Sequence, residues 1–249
     1  MEDNVREMYE KARAAFAIVE FWPQEKVDEM VLAVGWELQK PETGDELARL
    51  AVEGSGIGVY EDKVHKIGTK VRGTLYDQIG VKTCGLVEED KAKGIRKYAK
   101  PIGVIANVVP CTNPESTVCC IALSTLKTRN AIICSPHPRT ELATYTTVEH
   151  IRKALAKVGA PVDLVQCIRH TSNEKTQELM ANCGWSRSSM RRGFLPRRLA
   201  PATSSPSWIQ PSRIFRGSPS GSENPRRPTT RLPVPRRTPL RSRSASSTR

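Results

Sequence analysis

IGVIANVVPCTNPES, Ile102 to Ser116, sets an uncharged apolar run against a cluster of loop and helix-start residues. A strand that is apolar on both faces, without alternation, is the mark of a central parallel strand covered on both sides. Pro110 to Ser116 then ends it, with Asn113 suited to the N-cap and Pro114 to the first position of a helix through about Leu126. The pattern repeats downstream. NAIIC (Asn130 to Cys134) reads as a strand, SPHPR (Ser135 to Arg139) as a loop, and a helix runs from there to Val158, where Gly159 stops it. DLVQCI (Asp163 to Ile168) reads as the next strand. The order β-α-β-α-β predicts an α/β fold with a doubly wound parallel sheet.

Upstream of this core the chain reads as helices. Val5, Met8, Ala12, Phe16 and Val19 recur at three and four residues, as do Val27, Met30, Val31, Val34 and Leu38 after Pro23, which suits a first helical turn. Leu47, Leu50 and Ala51 predict a third, shorter helix that ends at Gly54. GSGIG (Gly54 to Gly58) superficially looks like a phosphate loop, but it follows a helix where a dinucleotide fingerprint must follow a strand. A helix C-cap and turn is the better reading. IGVKTCGLVEED (Ile79 to Asp90) reads as a half-buried strand and GIRKYAKP (Gly94 to Pro101) as its antiparallel partner.

Downstream, Gly184 to Arg249 changes character. Those 66 residues hold 15 Arg, no Lys and one acidic residue, Glu223, whereas residues 1–183 carry 24 Lys and Arg against 25 Asp and Glu. The whole formal charge of +13 therefore belongs to this segment. One reading is a disordered nucleic-acid-binding arm, because guanidinium groups neutralise phosphates; the absence of Lys is odd for that role. The other is GC-rich DNA translated out of frame. Read one base back, Leu199 to Thr203 allow Gly-Ala-Gly-Asn, and Thr203 to Ile209 allow Val-Ile-Ala-Val-Val-Asp-Pro, a glycine turn, a buried strand and its stop. The frameshift is the favoured reading, so 1–183 is expected to be the folded body and 184–249 a structureless Arg/Ser/Pro tail.

The 183-residue body is long enough for one domain with a real core. No run of 18 apolar residues and no secretory leader is read, which predicts a cytoplasmic protein with no membrane partner. The seven cysteines show neither a CxxC pair nor ligand spacing with the four histidines, so buried thiols are expected and no metal. In open parallel sheets ligands sit beyond the carboxyl ends of the strands, where helix N-termini offer unpaired N–H groups. That selects Pro110 to Ser116 and Ser135 to Arg139. Asn113 reads either as a plain cap or as an amide donor to a developing oxyanion. His137, between two prolines, reads either as part of a rigid surface loop or as a polar contact to a ribose or phosphate. Cys111, beside a helix N-terminus, suits an activated thiol in position only, because no His or acid lies nearby to act as its base.

At these loops the chain resembles a family. KYAKPIGVIANVVPCTNPESTVCCIALSTLKTRNAIICSPHPRT (Lys97 to Thr140) is similar to the cofactor-domain core of the CoA-acylating aldehyde dehydrogenases. ARLAVEGSGIGVYEDKV (Ala48 to Val64) and KVGAPVDLVQCI (Lys157 to Ile168) extend the likeness. Within that branch it looks most like the acylating sulfoacetaldehyde dehydrogenases, with the acetaldehyde and propionaldehyde enzymes close. The resemblance implies oxidation of an aldehyde by NAD or NADP through a cysteine-bound thioester passed to coenzyme A. Its implied partners are the aldehyde and CoA, with a homo-oligomer at full length and no nucleic acid. It also implies that Asn113 helps hold the oxyanion and that Pro110, Thr112, Ser135, Pro136 and His137 line the nucleotide site. The family's nucleophilic cysteine lies downstream of the Gly-Ala-Gly-Asn stretch, and no residue of this chain matches it, so this chain is expected to be inactive.

Overall fold

A computed structural model describes residues 4–183 and the backbone of 185–188. The chain opens with α1 (Val5–Val19), α2 (Gln24–Leu38), α3 (Pro41–Ser55) and α4 (Tyr60–Gln78). Asn4 starts α1, its Oδ1 accepting from Glu7 N at 3.1 Å, which satisfies one of the amides that a helix N-terminus leaves unpaired. Pro23 stands at the N-cap of α2, one position before the first turn where the sequence suggested it. α3 is longer than Leu47, Leu50 and Ala51 imply. It starts at Pro41, and its left-handed C-cap is Gly56 (φ 65°), so the expected end at Gly54 falls inside the helix. The C-cap reading of GSGIG holds.

The sequence reading passed over α4 altogether. Its buried stripe is narrow, with Ile67 and Val71 inside and Val64 and Leu75 partly so, on a helix otherwise rich in charge. The strand expected over 79–90 shrinks to β1 (Gly85–Asp90), antiparallel to β2 (Ile95–Ala99). Residues 79–84 are diverted because their polar groups find other partners: Thr83 N and Cys84 N both donate to Gln24 Oε1 (2.7 and 3.1 Å), and Thr83 Oγ1 donates to Lys127 O at 2.6 Å. Backbone groups tied to α2 in this way are not free to pair in a ladder.

The core sheet follows. β3 (Val104–Val108), α5 (Pro114–Lys127), β4 (Ala131–Ser135), α6 (Glu141–Lys157), β5 (Val165–Cys167), α7 (Asn173–Asn182) and β6 (Trp185–Ser188) give the parallel order β5-β4-β3-β6. The strand expected at Asp163 to Ile168 begins with a 3-10 turn, Val162–Leu164. α5 and α6 lie against one face with α2 outside them, and α1 and α7 lie against the other. The strand order reverses at β3, so the sheet is doubly wound. β6 adds a strand to the β-α-β-α-β order read from the sequence, and takes it from the start of the segment expected to be structureless. The chain leaves α7 beside the free edge of β3, whose unpaired backbone groups it meets in register from Ile105 to Val108. The rest of the Arg-rich segment, including its frameshift and disorder readings, lies outside the described residues.

Ala106, Ile132, Ile133, Leu123, Leu126, Ile151 and Leu155 are inaccessible to solvent, each large one contributing roughly 1.5–3 kcal/mol by burial. An ion-pair cluster ties α2 to α6. Glu37 accepts from Lys157 (2.8 Å) and Lys40 (2.9 Å), with His150 Nδ1 3.6 Å away. Burial alone would raise the Glu37 carboxyl, but these two lysines outweigh it and hold it at about 2. Among the described residues no helix is long and apolar enough to cross a membrane.

Candidate functional site

β3 and β4 deliver two loops to one end of the sheet. Val109 N donates to Ser135 O at 2.9 Å, so the strand ends stay stitched just past the ladder. Beyond them opens a cavity of about 410 Å³, walled by 108–110 from the first loop, 135–138 from the second and the start of α7. Ser172 caps α7, its Oγ accepting from Lys175 N at 3.2 Å. The Ser135 and Thr176 hydroxyls share a hydrogen bond of 2.8 Å, which fixes α7 against the end of β4. Asn173 and Thr176 of the first turn of α7 line the cavity, so it opens at the positive dipole end of that helix, which favours an anion; Lys175 N is taken by the Ser172 cap, and a hydrogen bond from Glu174's own backbone N–H lowers the Glu174 carboxyl.

Of the residues singled out from the sequence, Pro110, Ser135, Pro136 and His137 meet in this cavity. His137 Nδ1 accepts from Arg139 N at 3.2 Å and so caps the short 3-10 turn Pro138–Thr140, leaving Nε2 as the ring nitrogen outside that cap. The cap fits the rigid-loop reading. Thr112 stands apart: it is exposed, does not line the cavity, and its carbonyl accepts from Lys63 Nζ at 2.5 Å. The GSGIG turn packs beneath the second loop. A Cβ on Gly54 would sit 2.7 Å from Arg139 O, and the Arg139 guanidinium donates to Ser55 O.

Asn113 does sit at the N-cap of α5, but its side chain makes no capping hydrogen bond. Its Oδ1 accepts instead from Lys66 Nζ (3.0 Å) and Lys63 Nζ (3.3 Å), both from α4. Lys63 is almost wholly buried, 3.6 Å from the carboxylate of Glu115, which is fully buried. Burial pushes the Glu115 carboxyl above the usual range, against the opposing pull of nearby backbone N–H groups and Lys63. Sequence reasoning missed both lysines. The available signal was the spacing of Val64, Ile67, Val71 and Leu75, which makes 60–78 a helix and places Lys63 and Lys66 on one of its faces.

The cysteines do not gather into a reactive centre. Burial pushes the Cys134 and Cys183 thiols up to about 12 and raises that of Cys119 too, which suppresses the nucleophilic thiolate. Cys111 is half-buried in the first loop. Among the described residues no three His, Cys, Asp or Glu side chains group to hold a metal ion.

Residues 1–187 match the family model described as the aldehyde dehydrogenase family. A sulfoacetaldehyde dehydrogenase from an Acholeplasma species is 45% identical over 170 residues, covering 68% of this chain and 35% of the relative. An acylating sulfoacetaldehyde dehydrogenase from Bilophila wadsworthia is 44% identical over 177 residues, covering 71% and 38%. Among solved structures, an acetylating aldehyde dehydrogenase from Geobacillus thermoglucosidasius superposes with a TM-score of 0.68 at 35% identity, over 71% of this chain and 38% of that one. A propionaldehyde dehydrogenase from Rhodopseudomonas palustris, with bound CoA and an acylated cysteine, gives a TM-score of 0.66 at 26% identity over 76% and 43%. This chain spans little more than a third of the length of the two sulfoacetaldehyde dehydrogenases.

Proposed function

This chain belongs to the aldehyde dehydrogenase family, and on that premise we propose that it is the nucleotide-binding part of a CoA-acylating aldehyde dehydrogenase. In the reaction so proposed, a cysteine thiolate would add to the aldehyde carbon to give an alkoxide, and NAD+ or NADP+, held by Pro110, Ser135, Pro136 and His137, would supply the hydride acceptor that takes the adduct to a thioester. Coenzyme A thiolate then displaces the cysteine from the thioester, giving acyl-CoA and the reduced cofactor. Sulfoacetaldehyde is the proposed aldehyde, the substrate named for the relatives at 45% and 44% identity.

The observation that carries this reading is the convergence of Pro110, Ser135, Pro136 and His137 on one cavity beside the N-terminus of α7. A dinucleotide needs such a place: an apolar wall for its rings, and the positive dipole end of a helix for its phosphates. Asn113, on the neighbouring loop, is the proposed donor to the alkoxide oxygen. None of the seven cysteines is assigned the nucleophile's role, so the 249-residue chain is proposed to bind nucleotide weakly and not to turn over.

The experiment has two arms. Titration of the chain with NAD+ and NADP+ by calorimetry measures the site, with Asn173→Glu as the probe. At the first position of α7, which lines the cavity, a carboxylate suits the helix dipole yet repels a phosphate. We expect weak binding that Asn173→Glu removes; no binding, or binding indifferent to that change, refutes the cavity as the cofactor site. The second arm supplies short aldehydes, including sulfoacetaldehyde, with CoA and either cofactor, and follows reduced nicotinamide. CoA-dependent reduction that disappears on replacing Cys111 or another cysteine shows a nucleophile where none is assigned.

A further inference from the structure

Asn113 is held from α4 and not from its own helix. An amide oxygen has two lone pairs, and both are directed at ammonium donors here, Lys66 Nζ at 3.0 Å and Lys63 Nζ at 3.3 Å. Lys63 Nζ also donates to the main-chain oxygen of Thr112 at 2.5 Å, so one cation fixes both the loop and the side chain it carries. Gly58 makes room for this lysine: it lies in the left-handed region (φ 90°), and a Cβ there would stand 3.3 Å from Lys63 Cε. Among the described residues Asn113 Nδ2 donates to none.

We propose that Lys63 and Lys66 are positioning residues for Asn113, fixing the flip of its amide so that the Nδ2 hydrogens are the half offered to an oxyanion. The proposal rests on the reading of Asn113 as the oxyanion donor. An asparagine free to flip spends part of its time with its oxygen toward the developing negative charge, which repels it. Two cations on the oxygen forbid that orientation. They also draw electron density from the amide nitrogen and make its hydrogens stronger donors, as charge-assisted and chained hydrogen bonds do. The device lies on a helix separated from Asn113 by about fifty residues of chain, which is why the loop sequence alone does not show it.

The test uses the full 249-residue chain labelled with nitrogen-15, in which Asn113→Asp identifies the side-chain NH2 pair by its loss. In the parent chain that pair is expected outside the envelope of exposed Asn amides. Lys66→Met is expected to move it toward the envelope, and Lys66→Arg to leave it where it was. Lys66 is the residue to change because it is only partly buried, and Met keeps its stem. An unmoved pair in Lys66→Met overturns the proposal, and so does equal movement in Lys66→Met and Lys66→Arg. Collapse of the backbone spectrum in Lys66→Met also overturns it, because the lysine would then serve folding and not the amide. NAD+ and NADP+ binding is measured on the same samples. Failure of binding with the amide behaving as expected refutes the functional reading and leaves the geometry standing; the converse refutes the positioning role alone.

Discussion

Gly54→Ala and Gly44→Ala make the same chemical change in the same helix, α3, and are expected to have opposite effects. In a helix interior Ala is favoured over Gly by about 0.5–1 kcal/mol, because Gly loses more backbone freedom on folding. At Gly44 nothing lies within 4 Å of the added Cβ, so that gain is realised in full. At Gly54 the Cβ would sit 2.7 Å from the main-chain oxygen of Arg139. The obstacle is backbone, held by the Pro138–Thr140 turn and by the Arg139 guanidinium on Ser55 O, so no side-chain rotation relieves it. Overpacking of this kind costs about 1–3 kcal/mol. Set against the propensity gain, Gly54→Ala comes out destabilised by up to about 2.5 kcal/mol and Gly44→Ala stabilised by up to about 1. Urea unfolding followed by far-ultraviolet circular dichroism measures both. Because the turn that must yield also carries His137, nucleotide binding is expected to weaken in Gly54→Ala only. If Gly54→Ala is as stable as Gly44→Ala, the contact between α3 and the cavity loop is not the tight one described.

Glu37→Gln tests the α2–α6 cluster. The drop of the Glu37 carboxyl from 4.5 to about 2 sets a ceiling of roughly 3 kcal/mol. With Lys157 60% and Lys40 31% exposed, screening brings the expected loss at neutral pH to about 1–2 kcal/mol. Because the folded pKa lies below the unfolded one, this stabilisation is complete above about 4.5 and is lost as the pH falls through about 2. Parent and variant unfolding curves should therefore draw together as the pH falls from about 4.5 through about 2, and a gap that does not shrink over that range contradicts the assignment. In an enzyme that joins this region to the downstream cysteine implied by the family, Asn113→Ala should cost about a hundredfold or more in turnover. There Cys111→Ser should leave turnover largely intact; the opposite result in a steady-state assay inverts the two roles. The 249-residue chain itself should show no CoA-dependent aldehyde oxidation, checked by absorbance of the reduced cofactor.

The sequence determined the sheet strands and the loops that follow them. Ile102 to Val109 is apolar on both faces because β3 is covered on both sides, and Pro114 opens α5 by a backbone angle that needs no distant partner. GSGIG likewise declared itself a cap by following a helix. Where competition between distant groups decides, the sequence was silent. Ile79 to Cys84 has the composition of a strand, yet Gln24 and Lys127 claim its polar groups. α4 shows only a narrow apolar stripe, and the packing of α2 and α5 against it makes that stripe sufficient. β6 carries no strand pattern, and its place is set by the open edge of β3. The same division runs through the candidate site. The loops that carry Pro110, Ser135, Pro136 and His137 could be placed from the sequence, because strand ends are local facts; the residues within them were named by the resemblance. That Asn113 and the Thr112 carbonyl are gripped by lysines of α4 depends on where α4 comes to lie. Side-chain direction across about fifty residues is fixed by packing, and packing is a property of the assembled fold.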